Sequence, residues 1–120
     1  MTAEVRQMLE NGGIDVDEVM KRFMNNEKLL ERFLKKFEAD QSYGNLVKAM
    51  EEKDCDKAFA EAHTLKGISG NLALAALQSL VADQTEYLRG KDFASAETMT
   101  PKVTEAYEKV LGAIKGVYGG

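Results

Sequence analysis

One histidine lies among residues whose types and spacing allow chemistry on an exposed helix surface. The stretch Ala62–Leu74 reads A-H-T-L-K-G-I-S-G-N-L-A-L and contains His63, the only histidine of the chain. Because residues three, four and seven positions apart share a helix face, Lys66, Gly67 and Gly70 are predicted to lie beside the imidazole. The lysine brings a positive charge, and the nearer glycine leaves space. This arrangement suits an imidazole that briefly carries a negatively charged group.

The helix that must carry this histidine is predicted from Asp54 to Leu72, with a small, apolar stripe along one side. The stripe consists of Cys55, Ala58, Ala62, Leu65, Ser69 and Leu72. At about 100° per residue, His63 lies roughly 130° from the middle of the stripe, so it points outward or along the edge. Each helical glycine costs about 1 kcal/mol relative to alanine. The spacing alone leaves two interpretations open: an ordinary surface histidine beside packing glycines, or a reactive imidazole kept accessible.

Composition and charge narrow the class of protein. The chain has 120 residues, 44% of them hydrophobic, which is ordinary for one globular domain that buries its own core. Its formal net charge is -4 with acids and bases interleaved, so no basic surface for nucleic acid is predicted. No signal peptide or membrane span is recognised. Because the single Cys55 cannot form an internal disulfide, we expect a cytoplasmic protein.

The residues needed for several other chemistries are missing. No G-x-x-x-x-G-K-[ST] loop is present, so we expect neither nucleotide binding nor kinase activity of its own. One histidine, one cysteine on the core stripe and scattered carboxylates lack metal-ligand spacing, so no metal or other bound cofactor is expected. What remains is a histidine that is itself the nucleophile. An imidazole in water has an ordinary pKa near 6.5, so its neutral form, with a free lone pair, dominates at pH 7.

Helical periodicity extends over the whole chain, and the sequence predicts an all-α fold. One predicted helical face is Leu30, Phe33, Leu34 and Phe37. Start signals at Asp15, Asp54 and Asp92 mark three helices, and Pro101 is predicted either to kink the last one or to begin a new helix. The expected architecture is an antiparallel up-down four-helix bundle. Residues 1–120 form one predicted domain, with the bundle at about 27–117 and short helices in 1–24 covering one end or side.

The run from Ala62 to Gly67, followed by small residues and Asn71-Leu72, resembles the signature of histidine-containing phosphotransfer (HPt) domains. The resemblance extends from Gly13-Ile14-Asp15 to the end of the last helix. HPt domains pass a phosphoryl group between aspartates of response-regulator receiver domains. The resemblance implies that His63 accepts the phosphoryl group from one receiver aspartate and donates it to another. It also implies receiver domains or a hybrid sensor histidine kinase as partners, with Mg²⁺ bound by the receiver.

The resemblance assigns roles to further residues. It implies that Lys66 offsets the phosphoryl charge and that Gly67 provides clearance. In HPt domains a glutamine or glutamate on the next helix often hydrogen-bonds the imidazole or the phosphoryl group. Counting without a gap places Thr85 there, with Gln84 one residue earlier on the predicted core face, so either is a candidate for a supporting contact, as is Gly70.

Two other positions bear on the site. Phe59, four residues before His63, is predicted to be partly exposed, either as part of an apolar ring on which a receiver docks or as an aromatic at the core edge. Ala73 stands where the family usually has glycine, which leaves open how sharply the histidine helix ends.

The sequence is consistent with three hypotheses about function. The leading one is a phosphorelay carrier that acts as a monomer. The second is an adaptor bundle that docks on a receiver or kinase without being phosphorylated, and the third is an unrelated structural bundle, in which the two glycines beside His63 would have no explanation. Substitution of His63 separates the first reading from the others.

Overall fold

Seven α-helices account for most of residues 1–119, which are the residues described by the computed structural model. Gly120, the last residue of the predicted domain, lies outside them. The helices are α1 (Ala3–Asn11), α2 (Val16–Arg22), α3 (Glu27–Ala39), α4 (Ser42–Glu51), α5 (Cys55–Asn71), α6 (Ala75–Arg89) and α7 (Phe93–Tyr118). No strand occurs among these residues, and the predicted all-α class is confirmed.

The bundle consists of four antiparallel segments, the first of which is broken into α3 and α4. Asp40 is in extended backbone geometry, and its carboxylate accepts a hydrogen bond from the Ser42 backbone at 2.8 Å, which ends one helix and starts the next. Helix α4 packs along α5, α5 along α6 and α6 along α7, while α3 packs on α7 and closes the ring. The predicted up-down four-helix bundle is therefore confirmed.

Capping side chains set the helix starts where the sequence indicates them. The carboxylates of Asp15, Asp54 and Asp92 each accept a hydrogen bond from the backbone three residues on, at 3.1 Å in every case. Such a contact satisfies one of the unpaired N–H groups at a helix start. The hydrogen bonds to Ser95 lower the pKa of Asp92.

The two N-terminal helices attach residues 1–24 to the bundle beside the C-terminal end of α5. Helix α1 packs on α7 and α2 packs on α3. The backbone N–H of Asp15 donates to the carbonyl of Ala73 at 2.9 Å, and the N–H of Ala76 donates to the carbonyl of Gly13 at 3.4 Å. These bonds join the start of α2 to the turn between α5 and α6.

Phe33 lies at the edge of its predicted helical face, and 38% of it is exposed. Its ring lies 5.3 Å from the Phe23 ring between centroids, and the Lys36 ammonium lies over it. Of the two alternatives for Pro101, the structure excludes one. Pro101 does not begin a new helix, because α7 is continuous from Phe93 to Tyr118. None of the described helices is both long and apolar enough to cross a membrane.

Candidate functional site

Helix α5 has a buried side and an exposed side, as its sequence pattern predicts. Its buried residues are Ala58, Ala62, Leu65 and Ser69, and its C-cap Leu72 is also buried. Cys55, at the first position of the helix, is only half-buried. His63 and Gly67 are exposed, and Lys66 and Gly70 are partly exposed. The small residues of the buried side let α4 and α6 pack closely on either flank of α5.

The imidazole of His63 has one close aromatic neighbour. The Phe59 ring, one turn earlier, is stacked beside it with 5.9 Å between centroids and 26° between planes. The imidazole of the exposed His63 takes part in no side-chain hydrogen bond or ion pair within residues 1–119. Neither ring nitrogen is therefore occupied by another side chain of these residues, which is the arrangement that a histidine nucleophile needs.

Arg89 of α6 contacts the same Phe59 ring. Its guanidinium carbon lies 4.9 Å from the centroid of the Phe59 ring, within the range of a cation–π contact. Arg89 also donates to Glu86 at 3.1 Å. Phe59 is half-buried and packs against the core, and its ring contacts both the Arg89 guanidinium and the His63 imidazole. Sequence reasoning missed Arg89, because this contact exists only when α6 lies beside α5.

Glycines beside the histidine have two different surroundings. Apart from its chain neighbours and its own helix backbone, a Cβ built on Gly67 would meet no atom of residues 1–119 within 4 Å, so this position is open. A Cβ on Gly70 would lie 2.8 Å from Nε2 of Gln78. Gly67 therefore leaves free space on the histidine face, whereas Gly70 makes room for a side chain of α6.

A depression of about 490 Å³ lies beside these glycines, beyond His63 on α5. It is lined by Arg22, Lys66, Gly67, Gly70, Asn71 and Gln78. Arg22 reaches it from α2: one Nη donates to the carbonyl of Gly70, and Nε donates to Glu18 at 3.1 Å. Helix α5 has no basic residue in its own last turn, so Arg22 places a positive charge at the negative end of that helix dipole.

Thr85 and Gln84, the two candidates on α6 for a supporting contact, are buried and bond to groups other than the imidazole. The Thr85 hydroxyl donates to the carbonyl of Val81 at 2.7 Å. Gln84 lies against α7, where its amide nitrogen donates to the Ala96 carbonyl at 3.0 Å and to the Thr100 hydroxyl at 3.3 Å. Neither side chain hydrogen-bonds His63 in this structure, and a supporting role for either stays a prediction.

Ala73 ends the histidine helix in the conformation that glycine adopts most easily. Its φ is 52°, in the left-handed region. The Ala73 N–H donates to the carbonyl of Gly70 at 3.1 Å, and the Leu74 N–H donates to that of Ser69 at 2.9 Å. The alanine at this position is thus compatible with a sharp end to α5, at the cost of some backbone strain.

Comparison with known families identifies the class of protein. The family model described as Hpt domain matches residues 28–113, more than half of the 120-residue chain. The chain therefore belongs to the Hpt domain family. Searches of curated proteins and of solved structures returned no match.

Membership in this family defines the general activity. The activity of an Hpt domain is histidine phosphotransfer in a phosphorelay, and its partners are response-regulator receiver domains. His63 is the only histidine in the chain and lies within the matched residues. Among residues 1–119 no group of three or more His, Cys, Asp or Glu side chains is placed to hold a metal ion.

Proposed function

We propose that this chain is a phosphorelay intermediate in which His63 accepts a phosphoryl group from an aspartate of one receiver domain and passes it to an aspartate of another. The observation that carries the proposal is the exposed imidazole of His63, the only histidine of an Hpt family member, with open space above Gly67. Lys66 and Gly67 share its helix face. The chain itself supplies the nucleophile, and the partner supplies the phosphoryl group.

The transfer is a substitution at phosphorus. The lone pair of an unprotonated ring nitrogen of His63 attacks the phosphorus of the aspartyl phosphate. The N–P bond forms as the P–O bond to the aspartate breaks, and the carboxylate leaves with the bonding electron pair. In the onward step the next aspartate attacks the same phosphorus, and the imidazole nitrogen leaves with its lone pair. Catalysis of such transfer depends mainly on positioning and on stabilisation of charge.

Two neighbours of the imidazole have proposed roles in this step. Lys66 offsets the negative charge of the phosphoryl oxygens, as a charge-assisted donor one turn from His63. Gly67 keeps the approach clear for the partner. The receiver holds Mg²⁺, and this chain holds no cofactor of its own.

Phe59 is proposed as a docking residue for the receiver. Its half-buried ring adjoins His63 and is held by Arg89, so it presents a fixed apolar surface at the edge of the transfer site. Replacement by alanine is expected to raise the KM for the phosphorylated receiver. An unchanged KM would leave Phe59 as a core-edge aromatic.

The proposed carrier acts as a monomer in the cytoplasm. It must present His63 to a donor receiver and then to an acceptor receiver, and neither encounter requires a second copy of the chain. The lone Cys55 supports a reducing compartment. The donor is either a separate receiver or the receiver domain of a hybrid sensor histidine kinase.

A phosphotransfer assay tests the function. The protein is incubated with Mg²⁺ and with each phosphorylated receiver domain from the same cell, and the products are examined for phosphate that is stable in base and labile in acid. His63→Gln removes the nucleophile, and Thr64→Ala, at the next exposed position, is the matched control. We expect label on the wild type and on Thr64→Ala but none on His63→Gln. Circular dichroism verifies that all three proteins are folded.

Other results of this assay would favour a different phosphorylated residue or a different function. Label that persists on His63→Gln would assign the phosphate to a different residue. Binding of a receiver without label on any variant would favour the adaptor that docks without being phosphorylated.

A further inference from the structure

Arg22 and Lys66 are the two charged residues that line the depression beside Gly67 and Gly70. The other lining residues, Gly67, Gly70, Asn71 and Gln78, carry no charge. Glu18 is already ion-paired with Arg22, with its carboxylate 3.1 Å from Nε. The depression is therefore electropositive and bounded by amide and backbone groups, which is the composition of a site that accepts a carboxylate.

The guanidinium of Arg22 is held in place before any partner arrives. It bonds Glu18 from Nε and the Gly70 carbonyl from one Nη. An arginine has five N–H donors, so these two bonds leave three, and the side chain is 42% exposed. A donor group whose geometry is already restrained loses less conformational entropy when it binds an anion.

Arg22 lies too far along α5 from His63 to contact the phosphoryl group. It contacts Gly70, seven residues beyond His63, which corresponds to about 10 Å along the helix axis. A typical interface buries about 800 Å² on each partner, an area with a radius of about 16 Å. A receiver centred on His63 would therefore cover the depression, with a different group of the receiver facing Arg22.

The segment that contributes Arg22 is outside the region shared with the family model. The match covers residues 28–113, whereas α2 ends at Arg22. Helix α2 is nevertheless fixed to the site, because Asp15 bonds Ala73 at the end of α5. The charge at this edge of the site thus comes from a part of the chain that the family model does not define.

We infer that Arg22, at the edge of the depression that Lys66 also lines, binds a carboxylate on the surface of the receiver partner and thereby contributes to the choice of receiver. The inference rests on the proposed function. Arg22 is a specificity residue at the rim of the interface, and it takes no part in the bond changes at phosphorus. Its loss should weaken the encounter with the receiver and leave the transfer step intact.

The test compares two phosphoryl donors. One is the phosphorylated receiver that labels the wild type, and the other is phosphoramidate, a small donor that has no docking surface. Arg22→Gln removes the charge, and Lys21→Gln is the matched control, because Lys21 is an exposed neighbour on α2 that lines a separate depression with Met1 and Arg6. The rates are measured over a series of receiver and salt concentrations.

We expect Arg22→Gln to raise the KM for the receiver about threefold to fivefold, the upper part of the range for a solvent-exposed ion pair. Its kcat and its rate with phosphoramidate should stay within about twofold of the wild type, because rim charges act on the encounter. The salt dependence of kcat/KM should become weaker. Lys21→Gln should match the wild type, and Arg22→Lys should recover part of the affinity.

A second variant avoids the bond between Arg22 and Gly70. Gln78→Glu places a negative charge in the depression at nearly constant side-chain size, and it should raise the KM for the receiver while the phosphoramidate rate is unchanged. Because Gln78→Glu keeps the bond between Arg22 and Gly70, its effect on KM can be measured even if Arg22→Gln weakens the attachment of α2.

The results that overturn the inference differ from those that overturn the function. A wild-type KM and salt dependence in both Arg22→Gln and Gln78→Glu would exclude a carboxylate subsite and leave the phosphorelay function standing. Equal losses of kcat with both donors would assign Arg22 to the integrity of the site instead of docking. If no receiver labels the wild type but phosphoramidate labels His63, the proposed function has failed while the histidine is still reactive.

Discussion

The two sides of α5 differ in what their small residues do. On the buried side Ala58 and Ala62 let neighbouring helices approach, and the empty volume is filled by packing. On the exposed side Gly67 has no neighbour within 4 Å of a Cβ position, so the space that it leaves stays open beside His63. The same helix therefore uses small residues for close packing on one side and leaves open space on the other, where we propose that the receiver approaches.

This comparison predicts that the two sides can be damaged separately. Substitutions on the buried side should change the free energy of unfolding and leave phosphotransfer per folded molecule intact. Substitutions of Lys66 and Gly67, which share the face of His63, should change phosphotransfer and leave stability unchanged or improved.

The largest effect is expected on the buried side. Leu65→Ala removes a fully buried side chain, and such a change costs about 2–5 kcal/mol, because apolar contacts are lost and a cavity remains. Urea unfolding measures this cost, with Thr64→Ala, at an exposed neighbouring position, expected to shift stability by no more than about 0.5 kcal/mol. Label on His63 per folded molecule should equal that of the wild type. A folded Leu65→Ala protein that accepts no phosphate would contradict the separation of the two sides.

An intermediate effect is expected for Lys66→Ala. Loss of the positive charge beside the phosphoryl group should lower the transfer rate constant roughly fivefold to tenfold, which corresponds to about 1–1.4 kcal/mol of transition-state stabilisation. Rapid-quench measurement at saturating receiver isolates this rate constant from binding. Lys57→Ala, a change of the same kind nearer the start of α5, is the control. A rate equal to that of the wild type would remove Lys66 from the transfer step.

The smallest effect is expected from Gly67→Ala, and its sign distinguishes access from packing. The added methyl group meets no atom within 4 Å, so the free energy of unfolding should rise by up to about 1 kcal/mol from helix propensity. Transfer from a receiver should slow, because the methyl group narrows the approach to His63. In Gly70→Ala the methyl group meets Gln78, so the gain in stability should be smaller. If Gly67→Ala were less stable than the wild type, the conclusion that a methyl group fits at this position without a clash would be wrong.

Much of the site could be predicted from residue spacing. The capping carboxylate of Asp54 fixes where α5 begins, and the period of its small residues determines which side is buried. His63 therefore had to lie on the outer side, next to Lys66 and Gly67. These conclusions depend only on the geometry of one helix and on the cost of exposing apolar groups.

Other parts of the site could not be predicted, because they depend on which elements are neighbours. Arg22 and Arg89 are far from His63 in sequence. Arg22 bonds Gly70 and Arg89 contacts Phe59 only because α2 and α6 are placed against α5. Gln84 and Thr85 illustrate the same point. Their position in the count after His63 suggested a contact with the imidazole, but the rotation of α6 turns the Gln84 amide toward α7 and the Thr85 hydroxyl toward its own backbone.

By itself, the sequence determined the all-α class, the helix starts, the exposed position of His63 and its immediate neighbours, because local hydrogen bonding and the 3.6-residue period act within single segments. The tertiary structure alone decided the second cation at the polar depression, the Arg89–Phe59 contact, the exposure of Phe33 and the directions of Gln84 and Thr85. Each of these depends on how one helix is rotated and placed against another, and packing of the whole core sets that arrangement.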